Sequence, residues 1–285
     1  FLKFEDGQYQ IYGDGENEKS GFNKNPGMSL ALLKNALELV VDLSKELKRD
    51  EHRQAKWQDI INNLRELPTW EENGKRFLRG AEEDAYGRQV SGISFSPIYP
   101  ANGVTLDSDS VLLATGLTTV DIVQQWQHHN GTNSFYPAAV RVGYDPEKIM
   151  EALHKYALHT YPNGFQLDNP HGIENSCTAA NTLNEMACMS VGNKIRLFTV
   201  WPKAVDASFE KIRTWGAFLV SAGFRNGIVC DVSVFSEKGR SCTVVNPWKG
   251  KTVLLVRNGK PDKQLQGEEL TFPTSVNETI VLKPL

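Results

Sequence analysis

The sequence predicts a mainly helical first part followed by an antiparallel β domain, with the change of texture near residue 192. Two observations carry this. Before 192, apolar residues recur at helical spacing behind starts such as Asn25-Pro26 and Asp145-Pro146. After 192, short apolar or alternating runs are separated by turn residues, Asn226-Gly227 and Asn258-Gly259 among them. Asn-Gly between apolar runs is the strongest short-range hairpin signal.

In the first part, Asn25-Pro26 pairs a good N-cap residue with a proline at the first helical position. Leu30, Leu33, Leu37, Val40 and Leu47 then mark one apolar face over about five turns. Asp50 is placed to cap a second helix carrying Trp57, Ile60, Ile61 and Leu64, with Pro68 as its stop. Residues 69–107 form a long irregular stretch rich in Gly, Ser and Pro, a kind of segment that is usually functional. A third helix is expected over 108–127 and a fourth behind Asp145-Pro146, with Ile149, Met150, Leu153 and Ala157 apolar. A fifth is expected over 176–190, ending at Gly192 as a left-handed cap.

Beyond Gly192, residues 195–201 are a short apolar run stopped by Pro202, and 217–224 lead into the Asn226-Gly227 turn. Cys230, Val232 and Val234 alternate with polar neighbours, and 242–245, 252–256, 269–272 and 279–282 are further strand candidates. No internal repeat or low-complexity tract is present.

With 285 residues, the chain suffices for one large domain or two ordinary ones. Its hydrophobic fraction of 40% is that of a globular protein, not a disordered one. The net charge of −3 supplies no basic surface for nucleic acid or an anionic membrane, so neither partner is expected. No apolar run reaches the roughly 20 residues of a membrane helix. Cys177, Cys188, Cys230 and Cys242 form no C-x-x-C pair and no tight Cys/His spacing. No zinc site or other metal and no cofactor is therefore expected, and the cysteines are read as scattered buried thiols rather than a disulfide. The chain opens on Phe1-Leu2-Lys3-Phe4, without Met or a signal peptide, and is expected to be a fragment or a processed chain.

Two loops place carboxylates just ahead of helices, where a rigid scaffold commonly presents catalytic groups. The first is Gly13-Asp14-Gly15-Glu16-Asn17-Glu18, before the Asn25-Pro26 start. The second is Asp168-Asn169-Pro170-His171-Gly172-Ile173-Glu174-Asn175-Ser176. Cleavage of a glycosidic bond needs two carboxyl groups across the sugar, one to protonate the leaving oxygen and one to activate water or attack. Taken singly, each loop is more often a solvated acidic turn than a catalytic one, and Glu174 alone reads as a helix-start acid complementing the dipole. Trp70 and Tyr99 either stack on a sugar ring or pack in a core. Arg141, inside the apolar run 135–142, is read as part of a buried ion pair, and His128-His129 as a solvated helix end rather than a metal site. Met186 and Met189 read as core. Asn130-Gly131-Thr132 and Asn277-Glu278-Thr279 match the glycosylation sequon.

The stretch 169–202, NPHGIENSCTAANTLNEMACMSVGNKIRLFTVWP, resembles the closing segment of the catalytic barrel in glycoside hydrolase family 95, the α-L-fucosidase and α-L-galactosidase family. There an acid-bearing loop leads into a helix with an N-E-M-like pattern, followed by a Gly turn and a strand ending in Trp-Pro. The counterparts are Asn184-Glu185-Met186, Gly192 and Trp201-Pro202. The run RTWGAFLVSAGFRNGIVCDVSVFSEKGRSCTVVNPW is similar to the β domain of a divergent branch of that group. The Glu16-Asn17 loop resembles the one carrying the general acid.

The resemblance implies that residues 1–192 are the C-terminal half of an (α/α)6 toroid and 193–285 an antiparallel β-sandwich. It implies an inverting, exo-acting hydrolase of α-L-fucosyl or similar units on an oligosaccharide or polysaccharide. The acid maps onto Glu16, with Glu18 in competition. The base maps onto Glu174 by a gap-free count back from Glu185, which also keeps the helix start. A second alignment, through Phe165-Gln166-Leu167-Asp168, gives Asp168 instead. Asn17, His171, Asn175 and Trp70 are the expected sugar contacts, with His171 alternatively bracing its loop. The upstream half of the barrel is expected to be missing from this chain, and a periplasmic or secreted setting follows from the resemblance. Two departures stand out: Glu174 where the family has Asp, and no counterpart to the family's pair of water-positioning asparagines. Both are compatible with an inactive carbohydrate-binding relative, or with a fragment of a larger glycosidase. A phosphorylase on a similar toroid is a third class, disfavoured by the available base carboxylate and by the lack of a phosphate loop.

Overall fold

The computed structural model describes residues 1–15, 21–128 and 130–285; Glu16, Asn17 and Glu18 lie outside the described residues, as does His129. The chain combines helices with β-sheets and divides into two compact units. One comprises Phe1–Tyr144 and His159–Thr178, the other Asp145–Leu158 and Ala179–Leu285.

The first unit opens in strands, ahead of the first expected helix and in place of the expected loop and helix start. β1 (Leu2–Glu5), β2 (Gln8–Asp14) and β3 (Asn23–Pro26) form an antiparallel sheet. Asp6 and Gly7 turn β1 into β2 with φ of 52° and 78°. That is the paired positive φ of a tight Asp-Gly hairpin, which matches strand twist. α1 (Gly27–Leu47) and α2 (Gln54–Asn63) follow. The stretch beginning at 69 is not irregular throughout. It contains the hairpin β4 (Thr69–Glu72) and β5 (Lys75–Leu78), turned by Asn73-Gly74 at φ of 51° and 70°. β6 (Ala81–Glu83) then joins the first sheet in the order β1-β2-β3-β6. α3 (Ser110–Val123) starts at Asp109, whose carboxylate accepts from the backbone N–H of Val111 and Leu112. α4 (Thr132–Arg141) packs its nearly fully buried side against Phe95.

Asn25 does not cap α1. Pro26 occupies the N-cap position without a side-chain bond. Asn25 is instead fully buried at φ 49° and locks the sheet. Its Oδ1 accepts from Ile11 N–H at 2.8 Å, and its Nδ2 donates to Glu82 at 2.6 Å and to Gln10 at 3.3 Å. Arg65 Nε and Nη2 donate to the two oxygens of Glu82, each at 3.1 Å. Burial alone would raise the Glu82 carboxyl, but these bonds from Arg65 and Asn25 outweigh it and hold the group below the usual carboxylate range.

The inner face of α1 also differs from the expected one. Leu30, Val41 and Ser44 are buried, whereas Val40 and Leu47 are exposed, Leu47 by 62%. Leu32, Leu39 and Leu43 are exposed as well, so the helix is apolar on two faces and only packing selects one. Asp50 makes no cap bond; a single 3-10 turn over Glu51–Arg53 leads into α2. Arg141 donates to Asn102 Oδ1 and lies over the Tyr99 ring at 4.5 Å, so Tyr99 is engaged by a cation.

The second unit contains α5 (Pro146–Leu158), started by Asp145 accepting from Glu147 and Lys148 N–H. Between the parts of the chain, residues Ile173–Ser176 make the short α6 of the first unit. α7 (Thr178–Ala187) ends earlier than expected, because Cys188–Val191 is a strand, β7. Gly192 is therefore not a helix cap. With Asn193 it turns the hairpin from β7 to β8 (Lys194–Leu197), both residues at positive φ. β9 (Ala207–Thr214), β10 (Phe218–Arg225), β11 (Ile228–Ser236), β12 (Cys242–Val245), β13 (Val253–Arg257), β14 (Lys260–Leu265), β15 (Glu269–Phe272) and β16 (Glu278–Pro284) complete it. Asn226-Gly227 and Asn258-Gly259 make the β10–β11 and β13–β14 turns, as expected.

Six strands run in the order β14-β13-β16-β11-β10-β9 and four in the order β15-β12-β8-β7; β8 and β12 pair in parallel, so the second sheet is mixed where a wholly antiparallel one was expected. Val220, Val232, Val234, Leu255 and Ile280 from the first sheet share one apolar core with Ile195, Cys242, Val244 and Phe272 from the second, the arrangement of a β-sandwich. Trp248 is part of this core and donates its indole N–H to Val229 O, whereas Trp215 is exposed.

Substituting Asn25 by Ala removes three bonds and leaves the Ile11 N–H without its acceptor, a loss of about 2–4 kcal/mol given about 1–3 kcal/mol per buried unpaired group. Faster amide hydrogen exchange at Ile11 is the measurement. Cys177 is exposed, unlike the buried Cys188 and Cys242, whose thiols burial pushes up from 9.0 to about 12. A raised folded-state pKa contributes stability below the unfolded value that is lost as pH rises through the folded one. The two thiols should therefore destabilise the fold progressively between about pH 9 and 12. At pH 8 an aromatic disulfide reagent should modify Cys177 in the native protein, and Cys188 and Cys242 only in denaturant.

Candidate functional site

The second acidic loop is built on a short hairpin. Tyr161 N–H donates to Phe165 O at 2.7 Å and Leu167 N–H to His159 O at 3.1 Å, which brings residue 168 back beside residue 159. His159 Nε2 there bonds Asp168 Oδ1, and both side chains are about half exposed. The chain then coils through Asn169 and Gly172 into α6, with Asn169 N–H donating to Gln166 O and Gly172 N–H to Asn169 O, each at 3.1 Å. A Cβ on Gly172 would lie 2.2 Å from Asn169 Nδ2, so the loop closes this tightly only around a glycine.

Gln166 anchors the assembly and is 0% exposed. Its Nε2 donates to Gln127 O and its Oε1 accepts from Asn175 Nδ2, both at 3.3 Å. One side chain thereby ties three segments together: the hairpin, α6, and the stretch that follows α3.

These segments enclose an open hollow of 450 Å³ lined by Asn130, Asp168, Asn169, His171, Gly172 and Glu174. Asn130 also lines a neighbouring cleft of 460 Å³ whose other walls include Ser91, Ser96, Gln125, His128 and Asn133. Both volumes fall within the roughly 300–1,000 Å³ of small-molecule sites. Arg88, the cation of the second cleft, is committed to Asp84 through three hydrogen bonds. Burial would raise the Asp84 carboxyl, but the bonds from Arg88 and from the backbone N–H of Tyr86 and Arg88 hold it below the usual range.

Of the residues expected from sequence, Asp168, His171 and Glu174 converge on one hollow. Asn175 does not join them: it is fully buried and its Nδ2 donates to Gln166, so it holds the loop from beneath. Trp70 lies on β4, 37% exposed, with Arg79 over its ring at 5.3 Å, and lines neither hollow. Glu16, Asn17 and Glu18 fall outside the described residues. Sequence reasoning missed His159, Gln166, Gln125 and the lining role of Asn130. Phe165-Gln166-Leu167-Asp168 had been singled out for its Asp, but nothing in its spacing marks the glutamine as buried. Among the described residues, no group of three or more His, Cys, Asp or Glu is placed to hold a metal, and no helix is long and apolar enough to cross a membrane.

Chemically, the hollow offers two carboxylates, an imidazole and two amides to a ligand approaching from solvent. That set can accept protons and hydrogen-bond hydroxyl groups.

No family model and no curated protein matches the chain. Among solved structures it is similar to Ara127N-Se, a GH127 β-L-arabinofuranosidase from Geobacillus stearothermophilus T6, over 92% of its length, at 10% identity and a TM-score of 0.25. It spans 42% of that chain. A TM-score of this size carries no argument about fold or chemistry.

Replacing Gln166 by Leu removes its bonds with Asn175 Nδ2 and Gln127 O and should cost about 1–3 kcal/mol. Amide exchange at Asn169 and Asn175 should accelerate while the sandwich core stays protected, as two-dimensional NMR would show.

Proposed function

We propose that this chain forms part of a glycoside hydrolase, inverting and exo-acting on terminal α-L-fucosyl or similar α-L-sugar units of glycans. Residues 1–192 would supply the C-terminal half of its toroid and 193–285 its β-sandwich. The observation that supports this most is the meeting of Asp168, His171 and Glu174 on one hollow, since all three were singled out from the sequence alone. A setting outside the cytoplasm, periplasmic or secreted, accompanies the proposal.

Within it, one of the two carboxylates takes a proton from water while a second acid, Glu16 or Glu18, protonates the glycosidic oxygen. An inverting pair stands roughly 6.5–9.5 Å apart to admit that water. Asp168 has the better support as base. Its Oδ1 is bonded to His159, which fixes the carboxylate without blocking its other oxygen. Glu174 is exposed at the first turn of α6. His171 and Asn130 would meet sugar hydroxyls.

A carbohydrate-binding protein without turnover is the second possibility, favoured by the openness of the hollow and by the Glu at 174. Release of 4-nitrophenol from 4-nitrophenyl α-L-fucopyranoside separates the two. With Asp168→Asn, turnover should fall about 10²–10⁴-fold, the usual contribution of a general base, and the first-formed sugar should be the inverted anomer by proton NMR. Fucose affinity retained in Asp168→Asn, with no turnover in the wild type, identifies the binder. Turnover unchanged in both Asp168→Asn and Glu174→Gln overturns the assignment of the base to this loop.

A further inference from the structure

Gln125 sits between two glycines. A Cβ on Gly131 would lie 1.9 Å from its Oε1 and one on Gly92 2.3 Å from its Nε2, so the amide occupies a slot that only hydrogen at both positions leaves open. The backbone beneath it is fixed. The next residue, Trp126, packs edge-on against Phe135 and Tyr136 at 4.7 and 5.0 Å, and Tyr136 donates its hydroxyl to Trp126 O at 2.9 Å. Among the described residues, no hydrogen bond engages the half-buried Gln125 side chain. An amide with its donors and acceptor unspent can bind a hydroxyl group, which both gives and receives a hydrogen bond.

The cleft around it has apolar walls in Met28, Ile93 and Phe95, one imidazole in His128, and otherwise groups without net charge. Ser91, Ser96, Asn130 and Asn133 supply hydroxyls and amides, and the guanidinium of Arg88 is neutralised by Asp84. That composition suits an uncharged polyol rather than a phosphate or carboxylate. Asn130 belongs to both this cleft and the hollow of Asp168 and Glu174, so one ligand can run from one to the other.

We propose that the cleft binds the sugar unit adjoining the one held at Asp168 and Glu174, with Gln125 as its specificity-determining residue. The substrate class is then an oligosaccharide rather than a lone terminal sugar on an arbitrary carrier. This rests on the glycosidase proposal, and the experiment separates the two. Calorimetry would compare L-fucose with 2′-fucosyllactose in the Asp168→Asn background, in which cleavage should be about 10²–10⁴-fold slower, and L-fucose would also be measured on the wild type. The trisaccharide should bind about tenfold more tightly, the worth of one or two hydrogen bonds. Adding Gln125→Leu should bring the trisaccharide to within about twofold of L-fucose and leave L-fucose itself unchanged. Gly131→Ala should do the same by pushing the amide from its slot, since Gly131 has φ −109° and its backbone accepts alanine. A trisaccharide no tighter than L-fucose, or a gain that survives both substitutions, overturns the role of the cleft and leaves the glycosidase proposal standing. Binding of neither sugar by the wild type or the variant overturns both.

Discussion

The buried amide of Gln166 is the constraint on which the candidate site depends. A side chain with no exposure must spend its donors and acceptor internally, because an unpaired buried amide costs about 1–3 kcal/mol. Gln166 meets that requirement by reaching Gln127 on one side and Asn175 on the other. Satisfying one residue therefore fixes the spacing of three segments. Asp168 and His171 lie in the hairpin and coil, Glu174 on α6 and Asn130 just beyond Gln127, so their convergence follows from that single buried group.

The site is otherwise made of short pieces. α6 has four residues and the hairpin before it only isolated bridges, so regular secondary structure contributes little rigidity here. Order comes from side-chain bonds and close approach: Asn169 against Gly172, and Gln125 in the notch of Gly92 and Gly131. Such a surface can present carboxylates and amides to solvent while its supporting contacts stay buried. His159 completes the pattern by holding one oxygen of Asp168.

Several features were legible because they are local. Asn226-Gly227 and Asn258-Gly259 turn hairpins wherever they stand between strands, and Asp145 caps α5 through its own neighbours. The same signal was present at Asp6-Gly7 and Asn73-Gly74, and reading it there would have revealed β1, β2, β4 and β5. Other features were decided at a distance. Asn25-Pro26 has the form of a helix start, but Ile11 and Glu82 recruit the asparagine into a sheet lock. α1 carries two apolar faces, and the choice between Val40 and Val41 belongs to the partners it packs on. Residues 188–191 continue the apolar pattern of α7, yet pairing with β8 makes them a strand.

By itself, then, the sequence determined that the C-terminal part after about residue 192 is built of strands, the sites of the tight β10–β11 and β13–β14 turns and the loop that carries the candidate carboxylates. These depend on residue type and on neighbours a few positions away. Only the tertiary structure decided that Asp168, His171, Glu174 and Asn130 share one hollow, that Asn175 supports it from below and that Trp70 stands apart. Those outcomes depend on which polar groups lose contact with water and must find partners far along the chain, and spacing in a sequence does not encode that.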